Sequence, residues 1–241
     1  MRVSVVIPVR DDAALLARCL QALDSQLTPP DEVIVVDNAS SDASAAIAAS
    51  AGARVLTCPQ VGIAPAAATG YDAATGDLIL RLDADCVPPP TWVKDVVAAL
   101  RVPDAPDAVT GGAVFVDGPR LLRGTAALYL RAYTLASGAA LGQRPLFGSN
   151  MAFTALAWRR VRDEVHRHDP EIHDDLDLSF HIGRRGRIGR LSGRPMGISM
   201  RPFFSGRGLL RRIARGFRTV FVHWPAEFPP GRWLRAWRRR R

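Results

Sequence analysis

Apolar and polar positions along the first hundred residues alternate between the spacings of strands and of helices. Short apolar runs predict buried strands at 3–9, 32–37, 54–58 and 78–82. Between these runs apolar residues recur at helical spacing, and Asp11 or Asp12 is expected to cap the first helix. Further helices are expected after residue 42, at 62–75 and from Pro88 to Leu100. This alternation predicts an α/β fold with a mostly parallel central sheet flanked by helices.

After residue 100 the alternation is less regular. The pattern predicts one strand at 108–116 and helices at 121–141, 152–166 and 175–185. Because no Gly/Ser-rich linker and no repeat interrupts the chain, we expect one domain at 1–205 with two lobes, 1–100 and 101–205. Residues 206–241 form a separate basic tail that is expected to be helical.

Positive charge is concentrated in this tail. The chain has 241 residues and a net charge of +9, and residues 201–241 hold twelve arginines but only one acidic residue, Glu227. Residues 207–222 place apolar side chains on one helical face and arginines on the other, as helices at anionic membrane surfaces do. A helix packed on the body with solvated arginines is an equal alternative. Nucleic acid is not an expected partner, because no known reader motif is present.

Cysteine usage and hydropathy indicate the compartment. Cys19, Cys58 and Cys86 are scattered without metal spacing, which is typical of buried thiols in a reducing environment. No export signal and no membrane-spanning run is visible. We therefore expect a cytoplasmic protein, soluble or peripheral at the inner face of the cell membrane.

The first strand is followed by Pro8-Val9-Arg10-Asp11-Asp12 rather than by glycines. A dinucleotide site needs glycines here so that backbone amides can meet the pyrophosphate. The P-loop pattern is also missing from the sequence. If a nucleotide binds, another group must neutralise its phosphates.

Asp83 and Asp85 stand two residues apart directly after the fourth predicted strand. Ligands of open α/β sheets collect at the carboxyl ends of the strands. Two carboxylates at this spacing can converge on one Mg²⁺ or Mn²⁺, which would bridge them to a diphosphate. Acidic loops without function are common, so this prediction depends on the position of the two aspartates directly after the fourth strand.

Two further groups of polar residues indicate chemistry. Asp37 ends the second strand, and because Ser40, Ser41 and Asp42 can cap the next helix, Asp37 is free to bind a nucleobase. Asp174, Asp175 and Asp177 stand at the start of the last predicted helix, where the helix dipole stabilises anions. Capping accounts for Asp177, and the two adjacent acids before it exceed what capping needs, so one of them is a suitable general base.

These segments, in this order, resemble the family 2 glycosyltransferases with the GT-A fold. The resemblance covers roughly residues 3–190 and rests on the segments VSVVIPVRDD, DEVIVVDNASSD, GIAPAAATGYDAATGD, LILRLDADCVPPPTWV, FGSNMAF and HDDLDLSFHIGRRG. It implies transfer of a sugar from a nucleotide-diphosphate donor to an acceptor hydroxyl. Residues 1–100 would then be the nucleotide-binding half and residues 101–205 the acceptor half.

The resemblance also implies roles for donor-binding residues. Pro8, Val9 and Arg10 would line the nucleobase pocket, with Asp12 nearby and Asp37 on the base.

On the catalytic side, Asp83 would lie near the ribose and the metal, and Asp85 would hold the metal, Mn²⁺ or Mg²⁺. Asp175 matches the catalytic base, and Asp174 stands where the family usually has Glu. Family 2 enzymes invert the anomeric centre, which requires one base and no carboxylate nucleophile.

The chain departs from the family pattern in two places. The family often has Ala-Arg-Asn in the helix before the fourth strand, where the Arg helps to hold the nucleotide, and this chain has Ala66-Ala67-Ala68. One or two tail arginines could replace that Arg at the diphosphate. The Gln-x-x-Arg-Trp motif of processive polysaccharide synthases is absent, which favours transfer of a single sugar.

Two alternative functions stay open. A catalytically silent GT-A domain would act as a binding or scaffold module, but Asp83, Asp85 and Asp175 are all intact. A nucleotidyltransferase shares a similar sheet but usually needs a glycine- and lysine-rich loop after the first strand, which is missing.

His223 is a candidate third metal ligand, although a histidine between Val222 and Trp224 is more often structural. A lipid-linked acceptor would accord with a tail that binds the membrane.

Overall fold

The computed structural model of the protein describes residues 1–204 and 206–238. Ser205, at the predicted boundary of the tail, and the last three arginines of the tail lie outside the described residues.

The centre of the molecule is a seven-stranded sheet. Its strand order is β3-β2-β1-β4-β7-β5-β8, and only β7 runs antiparallel to its neighbours. The strands are β1 (Val3–Val9), β2 (Glu32–Asp37), β3 (Arg54–Thr57), β4 (Leu78–Arg81), β5 (Ala108–Thr110), β7 (Met151–Thr154) and β8 (Ile188–Arg190). A two-stranded sheet pairs β6 (Ala113–Phe115) with β9 (Met196–Ile198). The predicted mostly parallel α/β fold is confirmed.

Helices connect the strands and cover both faces of the sheet. They are α1 (Ala13–Asp24), α2 (Ser44–Ser50), α3 (Ile63–Ala73), α4 (Trp92–Leu100), α5 (Arg120–Leu141), α6 (Ala155–Val161) and α7 (Asp174–Arg185). Alternate side chains of β1 enter different core layers, because successive side chains of a strand point to opposite faces. Val5 and Ile7 pack in the layer that contains Leu16 and Trp92, whereas Val6 packs in the layer that contains Phe153.

Three local predictions were wrong. The strand predicted at 108–116 is two strands in different sheets, β5 and β6, because Gly111 and Gly112 interrupt it. The helix predicted at 152–166 begins as β7, which pairs with β4 and β5. The side chain of Asp12 makes no cap hydrogen bond to α1. Asp42 caps this helix from a neighbouring loop, since its Oδ2 accepts a hydrogen bond from the Ala13 N–H at 2.9 Å.

The predicted basic tail, which we call the basic segment from here on, forms two helices that pack on the body. These are α8 (Gly206–Val222) and α9 (Pro229–Arg238). The main-chain N–H of His173 donates to Thr219 Oγ1 at 2.9 Å, and His173 Nε2 lies 2.9 Å from the carbonyl oxygen of Arg212. In α9, the buried Arg232 donates from Nε to the carbonyl oxygen of Leu141 at 2.6 Å. Polar contacts therefore join the basic segment to α7 and to the end of α5.

The apolar side chains of these two helices largely face solvent. Exposed are Leu210, Ile213, Phe217, Phe221 and Val222 on α8, and Trp233, Leu234 and Trp237 on α9. None of the described helices combines the length and the apolar character needed to cross a bilayer.

Candidate active site

The two predicted metal carboxylates lie together in the loop that follows β4. One oxygen each of Asp83 and Asp85, together with Cys86 Sγ, lie within 4.8 Å of one another. Asp83 Oδ2 accepts a hydrogen bond from Ser149 Oγ at 2.6 Å, and Asp83 Oδ1 lies 2.8 Å from Arg81 Nη2. The structure thus brings both predicted ligands to the carboxyl edge of the sheet.

The electrostatics of this pair suit a hard divalent cation. Burial, reinforced by the neighbouring charge of Asp83, raises the pKa of Asp85 to about 7. A bound cation would offset both effects, because it restores favourable charge to a desolvated anion. Burial also raises the pKa of the Cys86 thiol well above its usual range, and sulfur is a softer ligand than Mg²⁺ and Mn²⁺ prefer. The two carboxylates therefore form an oxygen ligand set of the kind that Mg²⁺ and Mn²⁺ prefer.

Arg81 is a central group of the site that the sequence analysis did not identify. It is the last residue of β4, its side chain is only 2% exposed, and its Nη2 lies 3.5 Å from Asp174 Oδ2 as well as close to Asp83. Space for the guanidinium exists because residue 148 is glycine: a Cβ there would lie 1.4 Å from Arg81 Nη1. An arginine in an otherwise apolar strand, directly before an acidic pair, was the signal in the sequence.

Arg81 is a positive charge of the site that does not come from α3, where Ala66-Ala67-Ala68 stands in place of the family's Ala-Arg-Asn. All three alanines are buried on α3, and Ala67 and Ala68 line one small cavity together with Asp174. The helix supplies no cation there, and the guanidinium that binds Asp174 comes from β4 instead. The site therefore has a buried positive charge in spite of the alanines.

Asp174 and Asp175 stand in the first turn of α7 and have different partners. The Asp174 side chain is 13% exposed and pairs with Arg81, and burial raises its pKa although Arg81 opposes this. Asp175 Oδ2 accepts a hydrogen bond from the main-chain N–H of Gly148 at 2.9 Å. Of these two predicted catalytic residues, Asp174 forms an ion pair with the buried arginine, and Asp175 binds a main-chain N–H. The two carboxylates therefore have different environments.

The loop at 147–150 connects the metal carboxylates to α7. Gly148 binds Asp175 and Ser149 binds Asp83. Asn150 anchors the loop: it is 1% exposed, its Oδ1 accepts from Trp92 Nε1 at 2.9 Å, and its Nδ2 donates to the carbonyl oxygen of Gly112 at 2.9 Å. One anchored loop thus fixes the spacing between the two sets of carboxylates.

The predicted donor-binding residues lie at the neighbouring strand ends. Pro8 and Val9 end β1, and Val9 pairs in register with Asp37 at the end of β2. Asp37 Oδ1 accepts a hydrogen bond from the Ser40 N–H at 3.3 Å, so this carboxylate is partly engaged. Arg10 is exposed just beyond the strand, which leaves it accessible to a ligand.

Two buried or paired groups near the predicted donor-binding residues were also missed. Asn38 is buried and donates to the carbonyl oxygens of Cys58 and Gln60, at 3.0 and 2.7 Å, which ties the end of β2 to the loop after β3. Arg201 Nη1 donates to Asp12 Oδ1 at 2.8 Å, and its positive charge also stabilises the Asp85 anion. A cation that follows β9 in the chain therefore reaches the predicted donor-binding residue Asp12.

His223 belongs to another part of the molecule. Its Nε2 lies 3.2 Å from Asp177 Oδ1, in a group with His166 and His181. Among the described residues, the metal-ligating group around Asp83 and Asp85 contains Cys86 and no histidine. The structure therefore does not support His223 as a third ligand of that cation.

The family model described as "Glycosyl transferase family 2" matches residues 4–161. Among curated proteins, the chain is 34% identical over 106 residues to Glycosyltransferase AglE of Haloferax volcanii, covering 41% of this chain and 35% of that protein. It is 36% identical over 106 residues to the undecaprenyl-phosphate 4-deoxy-4-formamido-L-arabinose transferase of Serratia proteamaculans, covering 40% of this chain and 32% of that protein. The chain thus spans about a third of the length of these relatives.

Solved structures share the fold. Glucosyl-3-phosphoglycerate synthase from Mycobacterium tuberculosis, in complex with Mn²⁺, UDP and glucosyl-3-phosphoglycerate, superposes with a TM-score of 0.63 at 20% identity. The superposition covers 92% of this chain and 79% of that one. The fold is therefore of the GT-A type, and the family model covers well over half of the chain. The chain belongs to glycosyl transferase family 2.

Proposed function

We propose that this protein is an inverting glycosyltransferase that moves one sugar from a nucleotide-diphosphate donor to an acceptor hydroxyl. The observation that carries the proposal is the joint geometry of Asp83, Asp85 and Asp175. The pair after β4 can hold a cation, and a loop anchored by Asn150 binds both Asp83 and Asp175. Family membership supports the reaction class.

On the donor side, Asp83 and Asp85 would hold Mn²⁺ or Mg²⁺. The bound cation would supply Lewis-acid stabilisation of the diphosphate as it leaves. The nucleobase would lie against Pro8, Val9 and Arg10 at the end of β1, with Asp37 within reach of its N–H groups. Arg81 would orient Asp83 by its ion pair.

On the acceptor side, Asp175 would act as the general base. Its carboxylate is oriented by the Gly148 N–H, and a base must be fixed within hydrogen-bond reach of the proton that it removes. Asp174 would position the site through Arg81 rather than take the proton. A single displacement with one base needs no carboxylate nucleophile and inverts the anomeric centre.

The acceptor would be lipid-linked, with the protein cytoplasmic and peripheral at the inner membrane face. One relative is named for undecaprenyl phosphate, a lipid carrier. The exposed apolar side chains of α8 and α9 supply an apolar face, and the basic segment supplies positive charge. Helices with these two properties bind anionic bilayers.

Titration of UDP, GDP, ADP, CDP and dTDP into the purified protein tests the donor site by calorimetry. At least one nucleoside diphosphate should bind when Mn²⁺ is present and bind much more weakly after Asp85→Ala. The bound nucleotide then selects the sugars for transfer assays, in which NMR of the product reports the anomeric configuration. If none of the five binds with Mn²⁺, the proposed donor site is wrong.

A further inference from the structure

A second group of metal-ligating side chains lies outside the site described above. This histidine cluster consists of His166, Asp177, His181 and His223, and one ligand atom of each lies within 4.8 Å of the others. Three of the four residues are buried, and the His166 side chain is 35% exposed, which leaves a path from solvent. The prediction that Asp177 serves helix capping was wrong, because its carboxylate binds His166 instead. Capping would also leave the three histidines around it unexplained.

The members of the cluster come from three separate parts of the chain. His166 follows α6, Asp177 and His181 stand one turn apart on α7, and His223 directly follows α8. A spacing of four residues places Asp177 and His181 on the same helical face. The cluster therefore joins the body to the C-terminal helices.

The distances in the cluster correspond to a tetrahedral site. His223 Nε2 lies 3.2 Å from Asp177 Oδ1 and 3.4 Å from His181 Nε2, and His181 Nε2 lies 3.5 Å from Asp177 Oδ1. Ligands at about 2.0 Å from a tetrahedral Zn²⁺ are separated by about 3.3 Å. His166 Nδ1 is closer to Asp177 Oδ1, at 2.7 Å, so a small shift of this more exposed ring would complete the geometry.

Hydrogen bonding alone explains the arrangement poorly. Three ring nitrogens surround the single oxygen Oδ1 of Asp177, whereas a carboxylate oxygen offers about two lone pairs. His223 Nδ1 lies 2.7 Å from the carbonyl oxygen of Thr219, which only accepts, so Nδ1 carries the hydrogen. In neutral His223 the Nε2 lone pair would then face the Asp177 anion, and a cation between them removes this repulsion.

The surroundings fix the ligands in the way that outer partners of metal sites do. The Thr219 carbonyl sets the tautomer of His223, and Phe180 stacks on its ring with centroids 4.1 Å apart. The main-chain N–H of His166 donates to Asp177 Oδ2 at 2.9 Å, which turns Oδ1 toward the rings. His181 Nδ1 faces a carboxylate oxygen of Glu164 at 3.5 Å.

We propose that the histidine cluster is a structural zinc site with three imidazole ligands and one carboxylate. Four protein ligands close a tetrahedral site and leave no open position for chemistry. Imidazole nitrogens suit Zn²⁺ far better than Mg²⁺. The metal would fasten α8 to α7, the helix whose first turn carries Asp174 and Asp175. This site shares no residue with the metal-ligating group around Asp83 and Asp85.

Metal analysis of the full-length protein without a histidine tag tests the proposal. After extensive dialysis, elemental analysis should find about one zinc per chain. Protein stripped with 1,10-phenanthroline should melt at a lower temperature and recover with Zn²⁺ but not with Mg²⁺, because bound metal stabilises only the folded state. Co²⁺ added to the stripped protein should give the intense visible absorption of a tetrahedral complex.

Matched variants locate the metal. His181→Ala should lose the zinc and the cobalt spectrum, whereas His168→Ala, at an exposed histidine bonded to Gln60, should keep both. Asp85→Ala should also keep both, which separates this site from the proposed donor site. If wild-type protein holds no zinc and gives no tetrahedral cobalt spectrum, the cluster is a network of protonated imidazoles and the proposal is wrong. These wild-type measurements decide the question even if His181→Ala does not fold.

Discussion

Arg81 is the single residue on which the charge balance of the candidate site most depends. Its guanidinium is buried between Asp83 and Asp174, at 2.8 and 3.5 Å. Removing one partner of a buried ion pair leaves the other partner charged and unpaired in a medium of low dielectric constant. The role of this residue is therefore both structural and electrostatic.

Arg81→Met keeps the volume of the side chain and removes the charge. We expect a loss of about 3–5 kcal/mol in the free energy of unfolding, the usual cost of breaking a buried ion pair, measured by urea denaturation. Arg159→Met, at an exposed position on α6, is the control and should stay within about 0.5 kcal/mol of wild type. Equal stability of the two variants would show that Arg81 does not compensate the buried acids.

The two adjacent aspartates of α7 allow a second prediction at this scale. Asp175→Asn should lower turnover roughly a hundredfold or more, because the amide cannot accept the proton of the acceptor. Donor affinity by calorimetry should change little, because the proposed base acts on the acceptor. Asp174→Asn should instead lower stability through Arg81. If Asp174→Asn is inactive and Asp175→Asn is active, Asp174 is the base and the two roles are exchanged.

The acidic residues of the site could be named from the sequence, but the contacts that organise them could not. Asp83, Asp85 and Asp175 stand at strand and helix ends, where order along the chain predicts proximity. Arg81 acts through Asp174, 93 positions later in the chain, and Asn150 acts through Trp92, 58 positions earlier. The order of segments along the chain does not predict such contacts. Among the five histidines, three proved to meet at Asp177 for the same reason.

At the scale of elements, strands flanked by clear helices were predictable to within a residue or two, and short strands after residue 100 were not. β1 and β2 have the predicted bounds. β7 has four residues and runs directly into α6, so its apolar pattern merges with that of the helix. A short run of this kind is identified by its neighbours in the sheet, which are distant in sequence.

The approach of α3 to the sheet gives an element-scale prediction. A Cβ on Gly70 would lie 2.3 Å from Val6 Cγ1 and 3.0 Å from Val36 Cγ2, so Gly70→Ala should push α3 away from β1 and β2. We expect a loss of about 1–3 kcal/mol in the free energy of unfolding, the usual cost of overpacking. Thermal and urea unfolding measure this change.

Gly124→Ala is the matched control for this change. Gly124 is also helical, and a Cβ there would meet nothing within 4 Å. The exposed substitution should be neutral or stabilise the protein by up to about 1 kcal/mol, because alanine favours helix. If Gly70→Ala is as benign as Gly124→Ala, α3 and the sheet have more freedom than the structure shows.

At the scale of the whole molecule, the basic segment combines contact with the body and an exposed apolar face. Arg211 pairs with Glu171 at 2.5 Å, and Arg218 pairs with Asp169 at 2.8 Å, so some of its positive charges are turned toward acids of the body. On the same helix Phe217 and Phe221 are 63% and 53% exposed. One face of the helix therefore packs on the body, whereas contact of the exposed apolar face with a membrane stays a prediction.

Deleting the segment would be a poor test of membrane binding, because it would also remove His223 and Arg232 from buried contacts. The double variant Phe217→Ala/Phe221→Ala removes two exposed rings, one of which packs edge-to-face against the exposed Trp224. It leaves the buried contacts of His223 and Arg232 in place, so it should fold with little change in melting temperature. Each phenylalanine contributes up to about 1.5–3 kcal/mol when it leaves water. Partitioning onto vesicles with anionic lipid should thus fall roughly tenfold or more.

Sedimentation with vesicles that contain phosphatidylglycerol measures this partitioning. Wild-type protein should bind strongly at low salt and more weakly at high salt, because salt screens the attraction between arginines and lipid phosphates. Leu27→Ala, at a residue that is 69% exposed in the loop after α1, should bind like wild type, since it lies outside the basic segment. If wild-type protein does not bind these vesicles at low salt, the membrane proposal is wrong. If the double variant binds as well as Leu27→Ala, the exposed face of α8 does not contact lipid and the proposal is wrong as well.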